Sequence, residues 1–230
     1  FYPKLGKNPD KILISVIGVL CWIAGCFLAF KFIGAGEKVV TGPRMDLSFI
    51  QLSQNEKLTA QETDLGAVSV HYILSGKEIT ESYNKALKYF QTNDDNRAQI
   101  EINRLLNSNA SFSIKQKANV LMTYLSVPGF DTLSYSPDFK TVETDPELYI
   151  DCYVIWSGRV SDVIETSESY EARFLVGYDT MKNLDGIINV KFSSKISLES
   201  DKPVKILGKL LKEDGSLILS GRAVYQSVNF

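Results

Sequence analysis

Residues 149–163 read YIDCYVIWSGRVSDV, and this stretch decides the fold of the C-terminal part of the chain. Cys152, Val154 and Trp156 form one face of the stretch, and the residues between them form the other. This period of two is typical of a half-buried β-strand. Gly158 suits a bulge, where a strand can bend. The stretch therefore predicts a long, coiled strand.

Four more segments that are rich in β-branched and aromatic residues follow, with polar loops between them. The first three read YEARFLVGY, GIINVKF and PVKILGKL, and the fourth runs from Leu217 to Val228. Five strands at such short intervals predict a small, closed Greek-key barrel. We expect the barrel domain to occupy residues 148–230.

Three pieces of this region resemble an OB-type barrel: SGRV at 157–160, ILGKL at 206–210 and the six residues at 221–226. Barrels of this kind bind nucleic acids, sugars or proteins, or bind nothing, so the resemblance implies only the fold. Nucleic-acid-binding barrels need a basic groove with exposed aromatic side chains. Residues 149–230 instead hold ten Lys or Arg against eleven Asp or Glu. We therefore expect no nucleic acid partner, and we expect Trp156 to be a core residue or a protein contact.

Upstream of the barrel, apolar residues recur at helical spacing. The runs EITESYNKALKYFQ, NRAQIEINRLLN and SIKQKANVLMTYL each place apolar residues three and four positions apart, on one helical face. AQETDLGAVSVHYILSG, which precedes them, is predicted to be helical as well. Four helices with short polar loops form antiparallel hairpins. We expect residues 58–147 to hold this helical domain, followed by a crossover rich in turn formers.

One helix pair resembles a tetratricopeptide-type hairpin through its apolar residues. These residues are Tyr83, Ala86, Leu87, Phe90, Ala98, Leu105 and Leu106. The usual Trp-Leu-Gly element and the terminal proline are missing, and no repeat of about 34 residues recurs. Tetratricopeptide arrays bind peptides or other subunits, so the resemblance implies that Tyr83, Leu87, Phe90 and Leu105 contact a protein. The alternative is a plain stack of helical hairpins in which these side chains are core.

Near the start of the chain, residues 12–30 form an uncharged run, ILISVIGVLCWIAGCFLAF. A helix over 12–33, at about 1.5 Å per residue, matches the roughly 30 Å hydrocarbon core of a bilayer. We predict a single transmembrane helix there, after a cytoplasmic segment at 1–11. A lipoprotein signal cleaved before Cys26, or an ordinary secretory signal, is the alternative. The apolar run continues past Cys26 and is longer than signal-peptide cores, which favours a retained anchor.

Basic residues flank the apolar run on both sides, and the tighter cluster lies before it. This cluster and the large C-terminal part favour a single-pass inner membrane protein, with its N-terminus cytoplasmic and its folded domains periplasmic. Gly18, Gly25 and Ala29 place small residues on much of one helical face, which suits contact with another membrane helix.

Residues 34–57 are predicted to be a connector. Glycines and Pro43 break the helix, while Leu47, Phe49 and Ile50 are too apolar for a free tether. The connector either packs against a neighbouring protein or folds back as a short strand on its own chain.

Composition and motifs point away from catalysis. The chain of 230 residues has a formal net charge of −2 and one histidine, His71, which is expected in a helix. GxSxG, HExxH, Walker A and dinucleotide-binding motifs are missing. We therefore predict that the protein is not an enzyme and has no catalytic residues, no cofactor, no metal site and no small-molecule substrate.

The order of membrane span, helical hairpins and OB-like barrel predicts an α+β protein. It is similar to spirochaetal proteins that join tetratricopeptide-like helices to such a barrel, including components of the periplasmic collar around the flagellar motor. The segments at 102–118 and 149–160 carry this likeness. It implies a membrane-anchored scaffold or adaptor that binds other protein subunits in a large periplasmic assembly. A periplasmic ligand- or glycan-binding sensor and an accessory factor of the cell envelope are the alternatives.

Overall fold

Helices form the first part of the fold and strands form the second. The computed structural model describes residues 44–62, 70–199 and 202–226, within a compact unit that begins at Arg44. The helices are α1 (Gln54–Leu58), α2 (Gly76–Gln91), α3 (Asp95–Leu106), α4 (Phe112–Met122) and α5 (Phe139–Thr144). Short 3-10 helices lie at Ser48–Ile50 and Pro146–Tyr149.

Helices α2 and α3 begin where the sequence supplies a capping side chain. The Ser75 hydroxyl accepts a hydrogen bond from the Glu78 N–H, and the Glu78 carboxylate accepts one from the Ser75 N–H. Asp94 caps α3 by accepting from the Arg97 N–H. The apolar faces of α2, α3 and α4 meet in one helical core, as their periodicity predicts. Its fully buried side chains include Ile79, Tyr83, Ala86, Ala98, Ile102, Leu105, Ile114, Ala118 and Leu121.

The described part of the predicted connector packs on this same core. Leu47, Ile50 and Leu52 are buried in it. Arg44 forms an ion pair with Asp95 at the start of α3. The segment folds as a 3-10 helix followed by α1, and not as a short strand.

The prediction of a helix over residues 60–76 is wrong for its described residues before α2. Gln61 pairs with Ala110, and Tyr72 pairs with Ser108, in isolated β-bridges. The backbone N–H groups of Glu62, His71 and Tyr72 donate to carbonyls of the loop between α3 and α4. Because these donors are used across the fold, they are not available for the i to i−4 bonds of a helix.

Five strands close into a barrel in the order β1-β2-β3-β5-β4. All neighbouring strands are antiparallel except β3 and β5, which are parallel. The α+β class and the five-stranded OB-like barrel predicted from the sequence are therefore confirmed. The strands are β1 (Tyr153–Glu165), β2 (Tyr170–Val176), β3 (Gly186–Phe192), β4 (Val204–Glu213) and β5 (Ser216–Tyr225).

Gly158 is the residue at which β1 changes partners. It pairs with Val204 of β4 on one side and with Val176 of β2 on the other. A Cβ atom at Gly158 would lie 2.1 Å from the backbone oxygen of Leu175. The register shift predicted at this glycine lies farther along, between Ser161 and Ile164.

The crossover before the barrel contains two short elements, although its turn formers predict none. These are α5 and the 3-10 helix that follows it. The Phe139 ring of α5 lies 5.3 Å from the Trp156 ring, between centroids. The crossover thus contributes to the barrel core.

Within residues 44–62, 70–199 and 202–226, no helix combines the length and the apolar character that a membrane crossing needs. The transmembrane helix predicted at 12–33, with Gly18, Gly25 and Ala29, lies outside the described residues.

Candidate functional site

The predicted protein-binding residues are all buried. Tyr83, Leu87, Phe90 and Leu105 lie in the helical core, and Trp156 lies in the barrel core. The Tyr83 hydroxyl donates to the Ile50 carbonyl at 2.6 Å, and Trp156 Nε1 donates to the Pro137 carbonyl at 2.8 Å. These side chains stabilise the fold. They leave no exposed surface for the predicted contact with a partner protein.

Helix α3 has a second buried face, which sequence patterning missed. Besides its apolar face, α3 buries Asn96, Gln99 and Asn103. Spacings of three and four residues place these three amides in one row, which we call the amide row. A row of polar residues on a helix predicts a solvent-exposed face, and no apolar signal marks this one.

Asn96 binds the free edge of β1. Its Nδ2 donates to the Tyr153 carbonyl at 2.8 Å, and its Oδ1 accepts from the Tyr153 N–H at 2.7 Å. The same Nδ2 also donates to the Tyr135 carbonyl in the crossover. The first half of β1 pairs with β4 on its other edge, and β2 pairs with β1 only from Gly158 onward. Asn96 therefore replaces a missing strand neighbour.

Ser136 binds a further backbone group on the same edge of β1. Its hydroxyl accepts from the Ile155 N–H at 2.9 Å. The Ser157 carbonyl then accepts from the Gly177 N–H. Unpaired strand edges attract other chains, so side chains here protect an edge that none of the five described strands covers.

Asn103, at the other end of the amide row, binds the backbone of the segment that precedes β1. Its Nδ2 donates to the carbonyls of Leu148 and Ile150 at 2.9 and 2.6 Å. Gln99 Nε2 donates to Asn103 Oδ1 at 2.8 Å, which holds the Asn103 amide in this orientation. Helices and barrel are thus joined by buried hydrogen bonds, each of which is costly to break.

Two aromatic side chains and one carboxylate extend this junction. The Tyr72 hydroxyl donates to the Asp145 carboxylate at 2.7 Å, and His71 Nε2 lies 3.3 Å from the same group. Burial, together with the bonded Asp145 carboxylate, raises the pKa of the Tyr72 hydroxyl. Burial also raises the pKa of the Cys152 thiol, whose sulfur lies 3.9 Å from the Asn96 carbonyl oxygen. Both groups stay neutral at physiological pH and act as structural contacts.

The outward side of α4 carries no charge. Every exposed residue from 112 to 127 is uncharged, and four of them are large and apolar: Phe112, Val120, Tyr124 and Val127. The lysines of this helix, Lys115 and Lys117, are only partly exposed. Outward faces of surface helices usually hold charged and polar residues.

Residues 44–51, which include the partly buried Arg44 and the exposed Asp46, lie along one flank of this surface. Arg44 Nη2 lies 3.3 Å from the Ser126 hydroxyl, and Lys117 Nζ donates to the Gln51 carbonyl at 2.8 Å. The segment therefore runs antiparallel to α4 and the residues after it. Two of its side chains, Met45 and Phe49, are more than half exposed. We call the surface formed by these two residues with Phe112, Val120, Tyr124 and Val127 the α4 face.

An ion pair fixes α1 beside the α4 face. Lys117 Nζ donates to Glu56 Oε2 at 2.7 Å, and the Ser113 hydroxyl donates to Glu56 Oε1. These bonds from Lys117 and Ser113, with the capping bond from the Ser53 N–H, lower the pKa of the Glu56 carboxyl from 4.5 to about 2. The carboxylate is therefore stabilised in the folded state.

Glu56→Gln is expected to lower stability at neutral pH and to reduce the pH dependence of unfolding. Because the folded-state pKa is depressed, the contribution of Glu56 is complete above pH 4.5 and is lost as pH falls toward about 2. We expect a difference on the order of 1 kcal/mol at pH 7, since solvent screens a partly exposed pair. Thermal unfolding from pH 7 to pH 2 measures it.

The matched control for this prediction is Glu81→Gln, which removes an exposed carboxylate 3.8 Å from Lys77 within α2. It is expected to change stability by only a few tenths of a kcal/mol. Parallel curves for wild type and Glu56→Gln across the acid range would contradict the role of Glu56.

The outer face of β2 and β3 lacks stacking aromatics. Its outward positions are Glu171, Arg173, Leu175, Ile187, Asn189 and Lys191. Arg173 pairs with Asp162 and Lys191 pairs with Glu213. Single-stranded nucleic acid needs aromatic platforms and free cations. In the part of the chain that the structure describes, no cluster of His, Cys, Asp and Glu is arranged to hold a metal ion.

Comparison with protein families matches both parts of the fold. Residues 131–225 match the family described as "Spirochaete C-terminal OB fold". The match shows a spirochaete-specific C-terminal OB domain. The spirochaete OB domain so defined includes the crossover with α5 as well as all five strands. Residues 60–122 match a family described as a domain of unknown function (DUF8514), which covers α2, α3 and α4.

A distant likeness to a solved structure is also found. One match is a chain of a replication protein A heterotrimer bound to single-stranded DNA, which is 14% identical with a TM-score of 0.27. The match covers 34% of this chain and 58% of that chain. A likeness at this level carries no argument about a ligand. Comparison with curated proteins finds no significant match.

Proposed function

We propose that this protein is a membrane-anchored scaffold subunit that binds other protein subunits in a periplasmic assembly of spirochaetes. The amide row carries the proposal, because it fixes the helices and the spirochaete OB domain in one geometry. A partner on one part is then held at a set distance from a partner on the other. The protein works by position and not by catalysis.

Two further observations support a protein partner. The outer face of β2 and β3 lacks aromatic side chains, and two of its cations are already paired with carboxylates. The α4 face, in contrast, exposes large apolar side chains that suit a protein contact. The flagellar motor collar is the assembly we propose, because a span, helical hairpins and an OB-like barrel resemble components of that collar.

Crosslinking in spirochaete cells, followed by mass spectrometry of the purified tagged chain, tests this function. We expect lysine crosslinks to a small set of envelope proteins that co-purify in fixed stoichiometry. Protease added to cells with a permeabilised outer membrane is expected to digest residues 44–226 while the inner membrane stays intact. A chain recovered alone, or protected from that protease, contradicts the proposal. A cytoplasmic protein is the control for an intact inner membrane.

A further inference from the structure

The outward side of β1, β4 and β5 carries cations. Its side chains alternate along the strands with core residues such as Trp156 and Ile206. They are Tyr153, Ile155, Ser157, Lys205, Leu207, Lys209, Arg222, Ala223 and Tyr225, and none of them is acidic. Arg222 is the extra residue at the register shift in β5 and is exposed. We call the surface of Lys205, Lys209 and Arg222 the basic face.

Two cations of the basic face are available to a partner. Lys209 is paired with Asp151, which lies just before β1. Lys205 and Arg222 are exposed, and neither forms an ion pair within the described residues. An anionic partner can therefore bind both without first displacing a carboxylate.

The number of cations on the basic face restricts what kind of anionic partner it suits. Anionic membranes attract clusters of about 4–8 lysines or arginines, and single-stranded nucleic acid needs a basic groove with several stacking aromatic side chains. Of the nine outward side chains, Tyr225 alone is an exposed aromatic residue. The half-buried Ile155 and Ala223 lie between the cations. This mixture fits a protein segment that presents a few carboxylates beside apolar side chains.

The same chain presents such a segment at the end of β1, in the turn that follows and at the start of β2. Residues 161–171 read SDVIETSESYE, with four carboxylates and no Lys or Arg. Residues 162–168 are exposed without interruption, so this β1–β2 hairpin is open to a neighbouring molecule. Val163 and Ile164 are exposed apolar side chains beside the carboxylates.

The turn of the β1–β2 hairpin is already closed by hydrogen bonds. The Thr166 N–H donates to the Ser169 carbonyl at 3.0 Å, and the Ser169 N–H donates to the Thr166 hydroxyl at 2.9 Å. A segment that is ordered before it binds loses little conformational entropy on binding.

The carboxylates of the hairpin are free to meet cations of another molecule. Asp162 lies 3.2 Å from Arg173, and Glu165 lies 3.1 Å from Lys195, in pairs that are largely exposed. Such pairs contribute little to stability and can change partners. Glu168, in the turn, is exposed and forms no ion pair within the part of the chain that the structure describes.

We infer that the basic face binds the β1–β2 hairpin of a second copy of this chain. The two surfaces are opposite in charge, and no ion pair between described residues joins them within one copy. The contact is therefore head-to-tail, with the basic face of each copy against the hairpin of the next. Contacts of this type close into rings or continue as filaments. This inference rests on the proposed scaffold function and names one of its partners.

Crosslinking between two different single-cysteine chains tests the contact in the full-length protein in detergent. Both chains carry Cys21→Ser and Cys26→Ser, retain the buried Cys152 and are co-expressed with different tags. Tyr225→Cys places a thiol beside Lys205 in one chain, and Ser167→Cys places one in the turn of the hairpin in the other. With a short bismaleimide, we expect at least five times more mixed dimer than when Asn84→Cys, at an exposed position of α2, replaces Tyr225→Cys.

Charge reversal tests the same contact independently. Lys205→Glu with Arg222→Glu makes the basic face acidic, and Glu165→Lys with Glu168→Lys makes the hairpin basic. Introduced into both chains of the crosslinking pair, either change is expected to lower the yield of mixed dimer at least fivefold, because like charges then meet. When the Tyr225→Cys chain carries the reversed face and the Ser167→Cys chain carries the reversed hairpin, the yield is expected to return to at least half of the original value.

Lys85→Glu with Lys88→Glu is the matched control for charge reversal. It changes the net charge by the same amount as reversal of the basic face, at two exposed lysines of α2. We expect it to leave the yield of mixed dimer unchanged. Circular dichroism verifies that every variant is folded, as expected for substitutions at exposed positions.

Equal yields with Tyr225→Cys and Asn84→Cys overturn the inference, and so does a failure of the two reversed chains to restore the mixed dimer. An adduct of Ser167→Cys in cells that contains only a different protein also overturns it, and that result leaves the proposed scaffold function standing. Loss of every envelope partner in the lysine crosslinking experiment, with the mixed dimer still present, contradicts the scaffold function and not the contact between copies. The two proposals therefore fail in distinguishable ways.

Discussion

Replacing Asn103 with alanine is expected to lower the free energy of unfolding by about 3 kcal/mol. The variant leaves the Leu148 and Ile150 carbonyls without their donor and removes the acceptor for Gln99. Buried polar groups that lose a partner carry the full cost of desolvation, which exceeds the value of the bond itself. Thermal unfolding is expected to shift down by roughly 6–12 °C for a unit of this size.

Asn84→Ala is the matched control, because Asn84 is exposed at a comparable position within α2. It is expected to be neutral or slightly stabilising, since alanine favours helix more than asparagine. Cys152 supplies a second measurement in the Cys21→Ser and Cys26→Ser background. A thiol reagent is expected to label Cys152 faster in Asn96→Ala than in wild type, because the Asn96 side chain binds the backbone of Tyr153, the residue next to this buried cysteine. Unchanged labelling together with unchanged melting would show that the amide row does not hold the junction.

Gly158→Ala is expected to prevent the barrel from closing, with a loss of more than about 4 kcal/mol. The added Cβ would lie 2.1 Å from the Leu175 carbonyl oxygen, which is part of the backbone and belongs to β2. No side chain can rotate away to make room, so β1 or β2 must move. Soluble yield and the amide spectrum by NMR measure the outcome. Gly76→Ala at the start of α2 is the control and is expected to be tolerated, since its Cβ meets only Ala60 at 3.8 Å.

Gly186→Ala distinguishes backbone from side-chain crowding. Its Cβ would meet the Phe139 ring at 2.0 Å, and that ring belongs to a side chain that can be shortened. We expect Phe139→Leu to recover part of the stability lost in Gly186→Ala. No second substitution of a neighbouring side chain is expected to rescue Gly158→Ala. Rescue of both variants to the same extent would contradict this difference.

Elements with strong periodicity were predictable from the sequence. The apolar spacing of Ile79, Tyr83 and Phe90 predicts α2, and the alternation of Val154 and Trp156 predicts β1. Local pattern is sufficient in such runs because the buried face of each element is chemically distinct from its exposed face. The same patterns correctly place the aromatic side chains of these two elements on buried faces. They do not show that these side chains bind a partner.

The junction could not be predicted in this way. Asn96, Gln99 and Asn103 have the composition of a solvent-exposed helix face, and only their tertiary partners make them buried. The backbone N–H groups of Glu62, His71 and Tyr72 donate to the loop after α3, and local sequence patterns cannot reveal such tertiary partners. The outward side of α4 could not be predicted either. The structure had to give the orientation of the helix before its exposed residues could be seen to lack Lys, Arg, Asp and Glu.

The hydrogen bonds between the Asn96 side chain and Tyr153, the first residue of β1, have a consequence for the order of folding. Asn96 precedes Tyr153 by 57 residues, so the helices are synthesised before any strand of the barrel. The sheet partner of this half of β1 is β4, which emerges only after β2 and β3. We expect a nascent first strand to dock on the helices before its long-range pairing can form. The part of the chain that is synthesised first would then act as a template for the barrel.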